Sequence, residues 1–219
     1  MLMNFLKEKD VKYIKDLFEK NLTGEVNLIL FVDTPDKCQY CNDTVQLLTE
    51  LANINPKLKL TVYDINKNQK EAKFLGVDKT PGLVIGGKKI YNMYYFGIPA
   101  GHEFAALLED IVDASNGETR LSEATKEKLK SIKEPIEIKV FVTPTCPYCP
   151  RAVRTAHQFA MENDKIKSAM IEAMEFYDLA NQYSVMAVPK IVINDDVSFE
   201  GALPEENFLE YVLSAVKSS

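Results

Sequence analysis

The sequence predicts an α/β protein assembled from two copies of one domain, on three observations. The chain has 219 residues, about twice what a single domain of about 100 residues needs. It repeats itself: Cys38 and Cys41 are matched by Cys146 and Cys149 at an offset of 108, which also carries Pro81 onto Pro189, Ala72 onto Ala180 and Val77 onto Val185. Within each copy, short β-rich runs alternate with helical apolar patterns. A repeat this long is a duplicated domain, since a solenoid unit has a period of about 20 to 50 residues.

The elements follow in order. Helices precede each copy, at Lys7 to Lys20 and at Ser122 to Lys133, with Ser122 as the N-cap. Leu28 to Val32 and Ile136 to Val142 are strands ending in turns that hold Pro35 or Pro144. After each C-x-x-C comes a helical pattern, Val45, Leu48, Leu51 and Ala52 in the first copy and Ala152, Val153, Ala156, Phe159 and Ala160 in the second. Alternating runs at Leu58 to Tyr63 and Ile166 to Ala173 are strands, each followed by a short helix. Apolar strands begin directly after Pro81 and Pro189, where Leu83-Val84-Ile85 lands on Ile191-Val192-Ile193. Gly97 and Phe104 then match Gly201 and Phe208 once four extra residues in the first copy are allowed for, and Glu103 to Ala114 and Glu205 to Lys217 are closing helices. The order is α-β-α-β-α-β-β-α, twice. Ser115-Asn116-Gly117, polar with a helix-ending Gly, divides the chain into domains 1–116 and 117–219.

Composition narrows the function. Net charge is −6 and pI near 5.1, with no stripe of Lys or Arg; a nucleic-acid surface needs concentrated positive charge. No apolar run approaches the roughly 18 to 20 residues that cross a bilayer. Met1 to Asp10 has no continuous apolar core of a signal peptide. The expectation is a cytoplasmic protein with neither nucleic-acid nor membrane partners. In that compartment a C-x-x-C pair is catalytic or metal-binding more often than structural.

Each pair falls at a strand–turn–helix junction. The unpaired N–H groups and positive dipole end of a helix start favour a thiolate over a thiol. Cys38 and Cys146 are the attacking sulfurs on this reading, and Cys41 and Cys149, one turn deeper, resolve the mixed disulfide. Pro147 suits the first helical position, and Pro150 sits at the edge of that turn. Because Gln39-Tyr40 and Pro147-Tyr148 differ, the two sites are expected to have different potentials. Thr80-Pro81 and Val188-Pro189 each enter a strand, 40 residues after the second Cys of their own copy (81 − 41 and 189 − 149).

With these residues in view, Thr143-Pro144-Thr145-Cys146-Pro147-Tyr148-Cys149 resembles the glutaredoxin active-site segment, and Gly201-Ala202-Leu203 the corresponding thioredoxin turn. The whole chain is similar to the tandem glutaredoxin-like protein disulfide oxidoreductases of archaea and thermophilic bacteria. C-Q-Y-C, C-P-Y-C-P, V-P-K-I-V-I-N and G-I-P-A-G-x-E-F carry the match. The resemblance implies two thioredoxin-like domains, each a central mixed sheet flanked by helices. It implies oxidation, reduction and isomerisation of protein disulfides without a bound cofactor, a thioredoxin-reductase-type flavoprotein as electron source, and a heat-loving origin. Pro81 and Pro189 would be the cis-prolines facing the disulfides, with Thr80 and Val188 offering backbone groups to an extended substrate. Two departures stand out. The buried acid that thioredoxins place six residues before the first Cys is here Val140, and in the first copy Val32, or Leu30 if that loop is two residues longer. Gly86-Gly87 occurs only in the first copy, as a hairpin turn, and the second lacks the paired glycines that glutaredoxins use near glutathione.

Rival readings are weaker. A four-cysteine zinc site wants its two knuckles about 15 to 20 residues apart, whereas 104 residues separate Cys41 from Cys146 (146 − 41 − 1); no metal is expected. A binding module without redox chemistry would show an exposed apolar patch; Tyr91, Met93, Tyr94, Tyr95 and Phe96 form the one candidate, and hairpin core packing explains them better. His102 and His157 are the only histidines, and His157, two turns below Cys149, reads as a surface or packing residue. Charge along Glu118 to Lys133 is the solvated face of a helix. Asp64 and Glu172, aligned across the repeat, read as solvated strand ends.

Overall fold

The computed structural model describes residues 5–217; Met1 to Asn4, part of the segment considered above for a signal peptide, lie outside them. The first copy comprises α1 (Glu8–Asn21), β1 (Val26–Val32), α2 (Cys41–Ala52), β2 (Leu58–Asp64), α3 (Gln69–Leu75), β3 (Gly82–Gly86), β4 (Ile90–Phe96) and α4 (Glu103–Asn116). The second comprises α5 (Glu123–Lys130), β5 (Ile136–Val142), α6 (Cys149–Glu162), β6 (Ile166–Glu172), α7 (Tyr177–Gln182), β7 (Lys190–Ile193), β8 (Val197–Glu200) and α8 (Glu205–Lys217). The predicted order holds in both. Ser122 caps α5, its hydroxyl accepting the Thr125 N–H at 3.2 Å. That helix stops at Lys130, where the Ser131 N–H turns back to the Lys128 carbonyl.

The eight strands form a single sheet in the order β2-β1-β3-β4-β6-β5-β7-β8. In each copy the first strand pairs parallel with the second and antiparallel with the third, and the third pairs antiparallel with the fourth. The copies join through β4 and β6, parallel, with Tyr94 opposite Ala169 and Tyr95 opposite Met170. Tyr91, Met93, Tyr94, Tyr95 and Phe96 are buried for this reason: β4 is an interior strand, and an interior strand alternates its side chains into two covered faces. Leu28, Leu30, Leu83, Tyr95, Val140 and Met170 point to one face, under α1, α2, α4, α6 and α8. Phe31, Val84, Tyr94, Phe96, Phe141 and Ile171 point to the other, under Ala72 and Val77 of the first copy and Ala180 of the second.

Strand pairing also settles the loop alternative. Leu30 lies opposite Leu83 and Val140 opposite Ile191, so Leu30 and Val140 are equivalent and the first loop is two residues longer. Both are fully buried, which leaves the thioredoxin acid position apolar in each copy. In the polar stretch that ends α4, Ser115 is not a surface residue. It is 1% exposed, and its hydroxyl accepts the N–H groups of Thr23 and Gly24 at 3.0 and 2.9 Å, tying the end of α4 to the entrance of β1.

Candidate active site

Because β1, β4, β6 and β5 all run in one direction, both C-x-x-C turns leave the same edge of the sheet. Each connects a strand end to the helix that packs back over it. Both pairs are disulfide-bonded, with Cα atoms 5.4 Å apart for Cys38–Cys41 and 5.5 Å for Cys146–Cys149. β1 and β5 are four strand positions apart, roughly 19 Å, so the four sulfurs do not converge on one ion.

The helices begin at the second cysteine of each pair, with Tyr40 and Tyr148 as N-caps. Pro147 therefore precedes the helix, and it is Pro150 that occupies the first turn, where a missing N–H costs nothing. The Cys146 sulfur accepts the Cys149 N–H at 3.1 Å and lies 3.7 Å from the Val188 carbonyl oxygen. In the first copy the Cys41 sulfur accepts the Asp33 N–H at 3.4 Å. Cys149 is fully buried and Cys146 is 7% exposed; Cys41 and Cys38 are 2% and 4% exposed. The Thr80-Pro81 and Val188-Pro189 peptide bonds are both cis. Gly97 and Gly201 donate their N–H groups to the Pro81 and Pro189 carbonyls at 3.0 and 2.8 Å, which fixes a loop beside each cis-proline.

The second copy presses against the first at these loops. The His102 N–H donates to the Pro144 carbonyl at 3.0 Å, two residues before Cys146. Glu175, in the loop after β6, accepts the Ile98 N–H at 2.6 Å, and Glu172 accepts the Glu175 N–H at 2.6 Å. Glu172 is 3% exposed, so it is not a solvated strand end: the parallel join at β4–β6 places it under the Gly97 loop. Asp64, its counterpart, does lie at an open strand end, capping the turn through the Asn66 N–H at 2.9 Å.

Three carboxyls in this region are perturbed. Burial, with the charge of Asp110 adding to it, pushes Glu103 up to about 8. Burial likewise pushes Glu175 up to about 7, the Ile98 N–H opposing and Glu172 adding, and raises Glu172 above the usual carboxylate range. Neither oxygen of Glu103 has a hydrogen-bond partner among the described residues. Further along α4, Asp110 and Asp113 pair with Arg154 of α6, the Tyr95 hydroxyl donates to Asp110, and His157 Nδ1 lies 2.6 Å from Asp110. Burial works to raise Asp110, yet Arg154 holds its carboxyl below the usual range. His157 is fully buried and belongs to this network rather than to the surface. The sequence carried a signal for it: Glu103, Asp110 and Asp113 share the helix face of Ala106, Leu107 and Ile111, and acids on an apolar stripe mark a buried polar contact.

Comparisons with known proteins agree with this geometry. The thioredoxin domain family matches twice, over residues 29–109 and 136–214. A protein disulfide oxidoreductase from Aeropyrum pernix is 35% identical with a TM-score of 0.90, the alignment covering 100% of this chain and 96% of that one. The alkylhydroperoxide reductase AhpF of Enterococcus faecalis shares the fold, at 22% identity and a TM-score of 0.87 over 95% of this chain and 99% of that structure. The corresponding alkyl hydroperoxide reductase component of Staphylococcus aureus is 24% identical over 218 residues, 100% of this chain but 39% of the relative. The chain thus spans about two fifths of the length of the curated relatives it matches.

Proposed function

Because the chain belongs to the thioredoxin domain family, we propose that it is a protein disulfide oxidoreductase that exchanges thiols and disulfides with protein substrates at two sites. The observation that carries this is the setting of Cys146: one sulfur meets both the N–H of a helix start, at 3.1 Å, and the Val188 carbonyl before a cis-proline, at 3.7 Å. The helix start favours a thiolate, and the segment entering Pro189 is where an extended substrate adds as a strand.

In the reduced protein the Cys146 thiolate attacks one sulfur of a substrate disulfide. A mixed disulfide forms, and the other substrate sulfur leaves as a thiolate and takes a proton. Cys149 then attacks Cys146, releasing the second substrate thiol and closing the intramolecular disulfide. Two electrons and two protons pass to the substrate. Cys38 and Cys41, with Thr80 and Pro81, do the same in the first copy. The reverse sequence oxidises dithiols, and release before closure isomerises. The sulfurs carry the electron pair, so the step needs no cofactor of its own.

The domains divide at residues 1–116 and 117–219, supported by the helix stop at Gly117, whose φ is +72°. A flavoprotein reductase restoring the dithiols fits the naming of the curated relatives as parts of a reductase. A cytoplasmic location fits a chain whose four cysteines all sit in the two exchange sites, since reducing compartments disfavour structural disulfides. Reduction of insulin by dithiothreitol tests the reaction. Cys146→Ser abolishes turnover at the second site, and Cys149→Ser accumulates protein–insulin mixed disulfides on non-reducing gels. Parental rates in both variants would remove that site from catalysis.

A further inference from the structure

A cavity of about 280 Å³ lies between the two redox turns, and the redox function does not use it. Tyr40, the residue before Cys41, forms one wall; Pro144, two residues before Cys146, forms another; Phe5, Ile98, Ala100 and Met174 supply the rest of the apolar lining. Its polar groups are acids. Glu172 and Glu175 of the second copy line it, and Asp43 adds a third carboxyl from α2. Glu172 is 3% exposed and its Oε1 has no hydrogen-bond partner among the described residues. A buried acceptor without a donor is costly, and its position in the wall of an apolar cleft points to a donor brought by a ligand. The nearby cation Lys79, on the far side of Glu175, is committed to Asp78 at 2.8 Å.

We propose that this cavity binds the cationic side chain, Lys or Arg, of a substrate polypeptide engaged at Cys38–Cys41, so that the first site selects basic disulfide substrates. This rests on the exchange reaction proposed above and assigns its specificity. Apolar walls leading to carboxylates match an aliphatic stem with a charged tip. The cavity adjoins the first redox turn through Tyr40, within reach of residues flanking a substrate cysteine. A bound cation also offsets the burial that holds Glu172 and Glu175 toward their neutral forms.

The test uses the full chain with the second site disabled by Cys146→Ser and Cys149→Ser, and dithiothreitol as reductant. Two short disulfide-linked peptides are compared, identical except for Lys or Gln beside each cysteine. The Lys peptide should show a KM lower by about tenfold, the scale of one well-desolvated charge contact. The advantage should collapse in Glu172→Gln/Glu175→Gln and in Met174→Lys, which tethers an ammonium at the exposed mouth. Equal KM values in the parent overturn the inference, as does an advantage that survives both variants. If neither peptide is reduced, the redox reading of the first site fails instead. The cavity is then judged by equilibrium binding of the same peptides with Ser for Cys: tighter binding of the Lys form supports it, and equal binding overturns it.

Discussion

Gly97 and Gly201 occupy the same place in the two copies, yet they sit in different surroundings. Both have positive φ, +98° and +90°, and both donate to the carbonyl of their cis-proline. A Cβ on Gly97 would meet the Glu172 Cβ at 2.5 Å, whereas a Cβ on Gly201 would meet nothing within 4 Å. The contrast continues along the chain. Glu103, six residues past Gly97, is 1% exposed; its counterpart Asn207, six past Gly201, is exposed. Side-by-side joining through β4 and β6 explains both. It puts the rim of the first site under the β6–α7 loop of the second copy and leaves the rim of the second site open. Two turns with the same C-x-x-C spacing are thereby given different surroundings.

Disabling one site at a time tests that contrast most strongly. Removing Cys146 and Cys149 should lower reduction of insulin by about tenfold or more, while removing Cys38 and Cys41 should cost about twofold or less. A small neutral disulfide, indifferent to the rim, should be reduced by both variants at comparable rates. The opposite ranking on insulin would show that the covered rim does not limit access.

The covered rim also has a pH signature. Glu103 titrates near 8 in the folded protein against 4.5 for an ordinary glutamate. The unfolded chain therefore loses this proton first, and stability falls as pH rises from the ordinary value toward the folded one. Each pH unit in that window contributes about 1.4 kcal/mol, several kcal/mol in all. Glu103→Gln keeps the shape and removes the charge. Its urea midpoint should match the parent near pH 4 and exceed it at pH 8. Asn207→Asp, at the open rim, should shift stability by about 0.5 kcal/mol or less. Parallel pH profiles for parent and Glu103→Gln would mean that Glu103 is not held protonated by burial.

Much of this architecture is legible in the chain because it is written twice. The offset of 108 aligned the cysteines, the prolines and the strands after them, and local periodicity supplied the element order. What the sequence did not show depends on contacts between the copies. Tyr95 on β4 and Met170 on β6 are neighbours only because two apolar strands happen to pair, and no periodicity names a partner. Glu172 read as a strand-end acid for the same reason, since its cover comes from the Gly97 loop and Glu175 rather than from its own copy alone. Arg154 and Asp110 lie 44 residues apart. The acids on the apolar face of α4 announced a buried contact, but not the helix that answers them.

The smallest effect separates packing from backbone strain at the two glycines. A left-handed conformation costs an L-residue about 1 to 2 kcal/mol wherever it occurs, so Gly97→Ala and Gly201→Ala share that loss. Gly97→Ala adds the clash with Glu172, and overpacking a fitted contact costs about 1 to 3 kcal/mol more. Urea unfolding should therefore rank the parent first, Gly201→Ala second and Gly97→Ala last, with the gap between the two variants reporting the interface alone. If Glu175→Ala is added to Gly97→Ala, the carboxylate that the new Cβ would meet at 2.9 Å is removed while the Glu172 Cβ stays in place, and the gap should persist. Its disappearance would locate the strain in the carboxylate arm rather than in the close approach of the two backbones.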